Sequence, residues 1–488
     1  MKTIAELIPA SEILGSKIPL EAKVASITAS TDHLMPGALF FALKGSQSDG
    51  HQFVAQAVAQ GVMGAVVESP ESYASHRAVL VKSSRAALGW AASRWHDEPT
   101  CKFKLVGVTG TNGKTTVSFL LRDLWRAAGL RTGLVGTVEY QVGERILPAP
   151  LTTPDALTLQ KLFSQMVDER VGAAAIEVSS IALDQHRVTG SIFDVAVFLN
   201  LTPDHLDYHG DMASYLAAKR RLFTEHAPRA AAINLDDPAG PSLRDACGST
   251  RVFTFSTRRR AADLSVEESE ITASGISARL HTPQGEMVLR SPLLGLHNLS
   301  NCLAALTAIH AQGLDLRAAV AALATCTGAP GRLERVGSQV DGPNVFVDYA
   351  HTEDALRNVL ESLRRVRADA SGKIFTVFGC GGDRDRSKRA RMARAVAELS
   401  DELVLTSDNP RTEDPEAILD EMQQGVPRNR AFHRETDRRR AIELALSLAK
   451  AGDFVLVAGK GHETYQILGN TKVPFDDRQV IRNYYGRD

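Results

Sequence analysis

The stretch "GVTGTNGKTT", residues 107–116, sets Gly110 and Gly113 ahead of Lys114, Thr115 and Thr116. It lies between the apolar run "FKLVGV" and a helical pattern that begins near Lys114. Residues of these types in this order bind nucleotide phosphates. The glycines let backbone N–H groups turn inward around phosphate oxygens, and the helix N-terminus adds the positive end of its dipole. The lysine reaches the β- and γ-phosphates, and the first threonine ligates Mg²⁺. The usual spacing asks for a further glycine where Val108 stands, so a nucleotide loop of variant spacing is expected.

Two later apolar runs end in groups that suit a metal beside those phosphates. "AAAIEVSS" delivers Glu177, and "VAVFLNLTPDHLDYHG" delivers Asp204, His205, Asp207 and His209. Ligands of parallel sheets bind outside the carboxyl ends of strands, which brings Glu177 and His205 toward the loop. Zinc on His205 and His209 is one alternative, and simple turn-capping by Asp204 and Asp207 is another. Carboxylates next to a triphosphate favour Mg²⁺. In "SYLAAKRRLFTEH", Lys219 shares a helix face with Leu216, Leu222 and Phe223. A lysine on an apolar face either snorkels to water or needs its charge paired or removed.

Four loops of the last third are polar where apolar runs end: Asp348–His351, "GCGGDRDR" (379–386), "SDNPRTEDP" (407–415) and "AGKGHE" (458–463). At one edge of one sheet they form a binding surface. Arg384, Arg386 and Arg411 can grip carboxylates, and Asp408 and Glu463 can accept an ammonium, which suits an amino acid.

The elements that must carry these groups alternate along the chain. Strands are expected at 103–109, 172–178, 193–200 and 230–234, and helices at 114–128 and 212–226. "NVFVDY", "KIFTVFG", "DELVLTS" and "DFVLVAG" read as further strands. The first ~95 residues mix short strands ("ALFFAL", "GAVVES", "RAVLVK") with the helical "QFVAQAVAQG". A charged, Pro-containing break at 95–103 and a Gly/Pro cluster at 327–337 divide the chain into three α/β domains, as expected for 488 residues at roughly 150 per domain. A net charge of -1 argues against a nucleic-acid partner. Arg258, Arg259 and Arg260, with Glu267, Glu268 and Glu270 close by, read as a solvated surface. Five scattered cysteines fit a reducing cytoplasm, and no apolar run reaches the ~18 residues of a membrane span.

Taken in order, these motifs resemble the Mur ligases, ATP-dependent amino-acid ligases that build the peptidoglycan precursor. The matching stretches are "GVTGTNGKTT", "TTPD" (152–155), "EVSS" (177–180), "DQHRV" (184–188), "NLTPDHLDYHG" (200–210), "AAKRRLF" (217–223), "GLHNLSNCLAA" (295–305), "GRLERV" (331–336), "DYAHTEDAL" (348–356), "GCGGDRD", "DNPRTEDP" and "GKGHE". They span nearly the whole chain, and the variant glycine spacing is normal for the family. Within it the chain is most similar to members that extend UDP-N-acetylmuramoyl-L-alanyl-D-glutamate by a third amino acid.

The resemblance implies an α/β fold of three domains. Residues 1–97 take the UDP-substrate, 98–331 form a P-loop ATPase-type parallel sheet, and 332–488 form a Rossmann-like domain for the amino acid. It implies ATP and Mg²⁺ as cofactors, with Lys114, Lys219 and His205 catalytic. Lys219 would be carbamylated, an amine turned into an oxygen ligand, and would hold metal with Thr115, Glu177 and His205. Gly110, Thr111, Asn112, Gly113, Lys114, Thr115, Thr116, Asn298, Arg332 and Asp348 would contact ATP. Thr31, Thr152, Thr153, Ser179, Gln185 and Arg187 would hold the UDP-muramoyl dipeptide. Arg384, Asp408, Asn409, Pro410, Arg411, Gly459 and Glu463 would hold meso-2,6-diaminopimelate, because "DNPR" goes with the enzymes that use it. The expected protein is a cytoplasmic monomer without nucleic-acid or membrane partners. Ser30-Thr31-Asp32 departs from the family's Asp-Ser-Arg, and Ile181 stands where histidine is frequent. An L-lysine-adding ligase, a folylpolyglutamate synthase-like ligase and a non-catalytic ATP-binding regulator are the alternatives.

Overall fold

The computed structural model describes residues 1–32, 34–45, 48–258, 261–337, 342–367 and 372–486. Arg259 and Arg260 of the basic run lie outside them, while Arg258, Glu267, Glu268 and Glu270 are exposed. The chain forms two compact units, residues 1–256 with 304–316, and residues 257–303 with 317–488.

Beside a two-stranded sheet of Lys2–Thr3 and Lys23–Val24, the first unit holds two larger sheets. In the smaller, Ser26–Thr28, Ala38–Phe41, Gly64–Val67 and Ala78–Val81 run parallel, and Ile13–Ser16 closes the edge antiparallel. In the larger, Thr132–Val135, Ala173–Glu177, Lys104–Thr109, Val195–Phe198, Ala230–Asn234 and Arg251–Ser256 lie side by side and parallel. Their apolar runs are buried without alternation, as strands covered on both faces must be. Lys104–Thr109 sits between Ala173–Glu177 and Val195–Phe198, so the three loops singled out in the sequence leave the same edge from adjacent strands. Two antiparallel edge strands, Glu139–Val142 and Arg145–Pro148, were not anticipated.

The second unit contains a meander of Leu264–Thr272, Gly275–Thr282 and Gly285–Ser291, also unanticipated, and a six-stranded sheet. In that sheet Asn344–Asp348, Phe454–Ala458, Ile374–Phe378, Glu402–Leu405 and His433–Arg434 run parallel. Alternate side chains feed two cores. Phe346, Phe378, Leu405 and Leu456 pack with Leu356, Leu360 and Met392 on one face. Val345, Val347, Val377, Val404 and Val457 pack with Ile442, Leu446 and Ile481 on the other. Within this unit the buried Arg438 pairs bidentately with Asp477 at 2.8 and 2.7 Å and donates to Ala458 O at 3.0 Å, fixing one strand end.

Candidate active site

The loop after Lys104–Thr109 turns at Gly113, whose φ of 90° is left-handed, and feeds the helix Lys114–Ala127. It is pinned to the loop after Val195–Phe198. Thr111 N donates to Asn200 O at 3.0 Å and Asn112 N to Asn200 Oδ1 at 2.8 Å. Lys114 Nζ folds back to donate to Gly110 O and Thr111 O, both at 2.8 Å. An ammonium seated on loop carbonyls, beside amides at a helix N-terminus, is a cradle for phosphate oxygens.

Glu177, fully buried, is the hub beside it. Its Oε2 accepts from Thr115 Oγ1 and Thr137 Oγ1, both at 3.0 Å, and Oε1 accepts from Thr137 N at 2.9 Å. Thr115 and Glu177 thus meet as the sequence suggested, and Thr137 is a partner it did not. His205 makes no hydrogen bond to that pair among the described residues; it is exposed, on a left-handed residue (φ 52°), with Nε2 3.6 Å from Asp204 Oδ2. His209 is tied by Nε2 to Ser180 Oγ at 2.9 Å.

Lys219 is 1% exposed on the helix Met212–Thr224. Its apolar face is Tyr215, Ala218, Leu222 and Phe223; Leu216, expected on that stripe, is only half-buried, because the face is rotated onto Tyr215. The Lys219 ammonium lies 4.4 Å from the Tyr215 ring centroid. Among the described residues no carboxylate comes within salt-bridge distance of it. Burial, and then the Lys114 cation, push the amine well below the ordinary lysine range. Tyr215 also joins the phosphate loop, with OH 3.1 Å from Thr111 Oγ1, and burial raises its own pKa to about 12.

The structure thus supplies oxygen donors beside a buried amine whose proton affinity is lowered, a donor set that suits a hard cation such as Mg²⁺ better than zinc. Among the described residues no group of three or more His, Cys, Asp or Glu could hold a metal alone. A metal held here would need oxygens from other groups as well, such as Thr115 Oγ1, which already donates to Glu177.

A polar cluster continues from Glu177. Thr153 Oγ1 donates to Glu177 O at 2.7 Å and accepts from Ser179 N at 3.2 Å. Arg187 donates to Thr153 O at 2.7 Å and to Gln185 Oε1 at 2.8 Å, and Thr152 Oγ1 lies 3.1 Å from Thr137 Oγ1. Five of the six residues expected to hold the dipeptide are brought together in this way. Thr31 follows the strand Ser26–Thr28, and no hydrogen bond among the described residues joins it to the cluster.

In the second unit Arg332 and Asp348 adjoin, the guanidinium lying 4.8 Å from the Tyr349 centroid with Nε buried and without a partner. Asp348 accepts from Leu333 N and Ala350 N, and burial raises its carboxyl despite the Arg332 charge. Asn298 is spent internally, donating to Leu294 O at 2.9 Å and accepting from Asn301. Gly331 (φ 64°) is pressed against the "GKGHE" loop, where an added Cβ would fall 2.1 Å from His462 N.

The loops at the carboxyl edge do converge. Arg411, at φ 52°, donates through Nη1 to Gly382 O at 2.8 Å. Its backbone is clasped by the unanticipated hairpin Tyr465–Leu468 and Thr471–Pro474 through Ile467 O and Gly469 N. Glu413 is taken by Arg389 and Arg386 at 2.8 Å each and leaves Arg411 alone. Arg386, offered from sequence as a carboxylate grip, is therefore engaged. Arg384 is exposed and flanks Gly381 together with Arg411. Lys460, overlooked in the sequence, is fully buried and donates to Asn409 Oδ1 at 3.1 Å and Glu463 Oε2 at 3.0 Å.

Three segments match models of the Mur ligase family: residues 23–96 its catalytic domain, 108–309 its middle domain and 331–461 its glutamate ligase domain. The chain is 48% identical over 463 residues to the UDP-N-acetylmuramoyl-L-alanyl-D-glutamate--2,6-diaminopimelate ligase of Gloeobacter violaceus, covering 94% of this chain and 93% of that one. It is 44% identical over 469 residues to the ligase of the same name from Geobacillus thermodenitrificans, covering 94% of each. A solved structure of a ligase with this name superposes with a TM-score of 0.75 at 34% identity, over 100% of this chain and 99% of the other.

Proposed function

The chain belongs to the Mur ligase family, and on that footing we propose that it joins meso-2,6-diaminopimelate to the D-glutamate of UDP-N-acetylmuramoyl-L-alanyl-D-glutamate. Members of this family are ATP-dependent amide-bond-forming ligases, and so is this chain. The observation that carries the substrate choice is Arg411. Its Nη1 is held by a backbone carbonyl, its neighbour Glu413 is committed elsewhere, and Nε and Nη2 have no protein acceptor among the described residues. Such a planar donor suits the distal carboxylate that diaminopimelate has and L-lysine lacks.

The γ-carboxylate of D-glutamate attacks the γ-phosphorus of ATP, ADP leaves, and an acyl phosphate forms. Lys114 neutralises charge building on the transferring oxygens. Mg²⁺, when bound, would add Lewis-acid neutralisation there, and Thr115, Glu177, His205 and a carbamylated Lys219 are the residues that would hold it. The neutral Lys219 amine forms its carbamate by attacking CO₂; an N–C bond forms, one C=O becomes C–O⁻, and the nitrogen loses a proton. The Thr152, Thr153, Ser179, Gln185 and Arg187 cluster orients the dipeptide. Asp408 and Glu463 take the ammonium of diaminopimelate, and Arg384 and Arg411 its carboxylates. Its other amine attacks the acyl carbon, and phosphate leaves.

We assign residues 1–97, 98–331 and 332–488 to UDP-substrate, ATP and amino acid, a division the separately matched segments support. ATP and a nucleotide-linked substrate make the cytoplasm the compartment, and no helix among the described residues is long and apolar enough to cross a membrane. The test is ADP release with each substrate omitted in turn, with mass spectrometry of the product. ADP formed without the UDP-muramoyl dipeptide, or a lysine adduct formed as readily as the diaminopimelate adduct, would refute the assignment.

A further inference from the structure

We infer that Lys460, buried behind the amino-acid site, sets the choice of amino acid through its charge. This rests on the reading of the site given above. Lys460 is 0% exposed, and its ammonium lies among Asn409 Oδ1 at 3.1 Å, Glu463 Oε2 at 3.0 Å and Asp408 Oδ1 at 3.6 Å. Asn409 Nδ2 donates to the same Glu463 oxygen at 3.0 Å, so that oxygen is used up within the protein. Asp408 Oδ1 is buried with no hydrogen-bond donor, and Asp408 as a whole is 8% exposed. The cation beside that oxygen is the Lys460 ammonium, close enough for an ion pair and too far for a hydrogen bond. Lys460 thus already sits against both carboxylates that are to receive the ammonium, and leaves Glu463 Oε1 and Asp408 Oδ2 without a protein donor among the described residues.

The charge balance follows. Asp408 and Glu463 are opposed by Lys460, Arg411 and Arg384, two carboxylates against three cations, an excess of one positive charge. Diaminopimelate with its reacting amine neutral carries two carboxylates and one ammonium, an excess of one negative charge. L-Lysine in the same state is balanced. Without Lys460 the protein groups themselves would balance, and the electrostatic preference for diaminopimelate would go. Because Lys460 has no surface of its own, it is a positioning residue that acts through Glu463, Asn409 and the field at the site.

The experiment compares kcat/KM for diaminopimelate and L-lysine in the wild-type enzyme and in Lys460→Met, a neutral side chain of similar length. Expected is a fall of ~10-fold or more in the diaminopimelate-to-lysine ratio, with KM for ATP retained. An unchanged ratio in a folded variant overturns the inference. A wild-type ranking supplies a measurement that needs no mutation, should Lys460→Met fail to fold. The excess positive charge makes 2-aminopimelate, which has a distal carboxylate and no distal ammonium, a stronger competitor of diaminopimelate than L-lysine. L-Lysine competing more strongly overturns the inference. A wild-type enzyme that does not ligate diaminopimelate fails the underlying functional reading, and that result is distinct from both.

Discussion

Glu177→Gln separates charge from shape at the hub of the phosphate site. The carboxylate receives three hydrogen bonds, from Thr115 Oγ1, Thr137 Oγ1 and Thr137 N. In the amide only one oxygen remains. Placed toward Thr137 N–H, which cannot rotate, it leaves the NH₂ facing two hydroxyls that can turn and accept. Three charge-assisted bonds of about 1.5–3 kcal/mol then become neutral ones of about 0.5–1.5 kcal/mol. The loss is about 1 kcal/mol per bond, about 3 kcal/mol in total, and the fold survives. The functional loss is larger, because removing a group that holds or orients metal ligands costs about 10–100-fold in metal affinity. The assay is turnover against Mg²⁺ concentration at saturating ATP, with urea denaturation as the control for folding. A Glu177→Gln enzyme with a wild-type Mg²⁺ midpoint would show that Glu177 only props the Thr115 hydroxyl, and the assignment of a metal role would fall.

Lys219→Ala should lose nearly all ligation and regain part of it with short carboxylates. In the wild type, the lowered amine keeps the carbamate-competent neutral form above its own pKa and loses it as pH falls through that value, so bicarbonate should restore activity lost at low pH; no response to bicarbonate or to short carboxylates would refute carbamylation. Arg411→Ala should cut selectivity for diaminopimelate over lysine by ~100-fold, the equivalent of one buried charge-assisted pair, and a variant that stays selective refutes the grip. Glu413, held at about 2 against an ordinary 4.5 chiefly by its hydrogen bond from Arg389, contributes stability that is whole above about pH 4.5 and lost as pH falls toward 2. Urea midpoints over that range should flatten in Arg389→Met, and an unchanged acid slope would refute the pairing.

The phosphate loop, Glu177 and the four polar loops of the second unit were legible because each is a continuous run closing an apolar strand, and a parallel sheet gathers strand ends at one edge. The bond between Thr137 and Glu177 was not, since a threonine 40 residues away carries no local signal. Lys460 was passed over because a lysine between two glycines reads as solvated, and only the fold closes Asn409 and Glu463 around it. The rotation of the Lys219 helix was within reach, because Tyr215, Ala218, Lys219, Leu222 and Phe223 follow helical spacing better than a stripe through Leu216. The meander 264–291 also leaves a trace, an inside–outside alternation in "GISARLHT" that differs from the unbroken apolar runs of the buried parallel strands.

The pressing of Gly331 onto His462 bears on how such enzymes can be recombined. Arg332, beside Gly331, is assigned above to the nucleotide, and Lys460 and Glu463, beside His462, to the amino acid. With backbone against backbone at that point, neither segment has slack to accept a differently shaped counterpart, and the left-handed φ at Gly331 bars most side chains outright. A graft that moves only "DNPR" and "GKGHE" from a relative into this chain would import the specificity loops without the surface they were fitted to. The segment "GRLERV" has to travel with them as part of the same exchangeable piece, although in the sequence it lies far ahead of both.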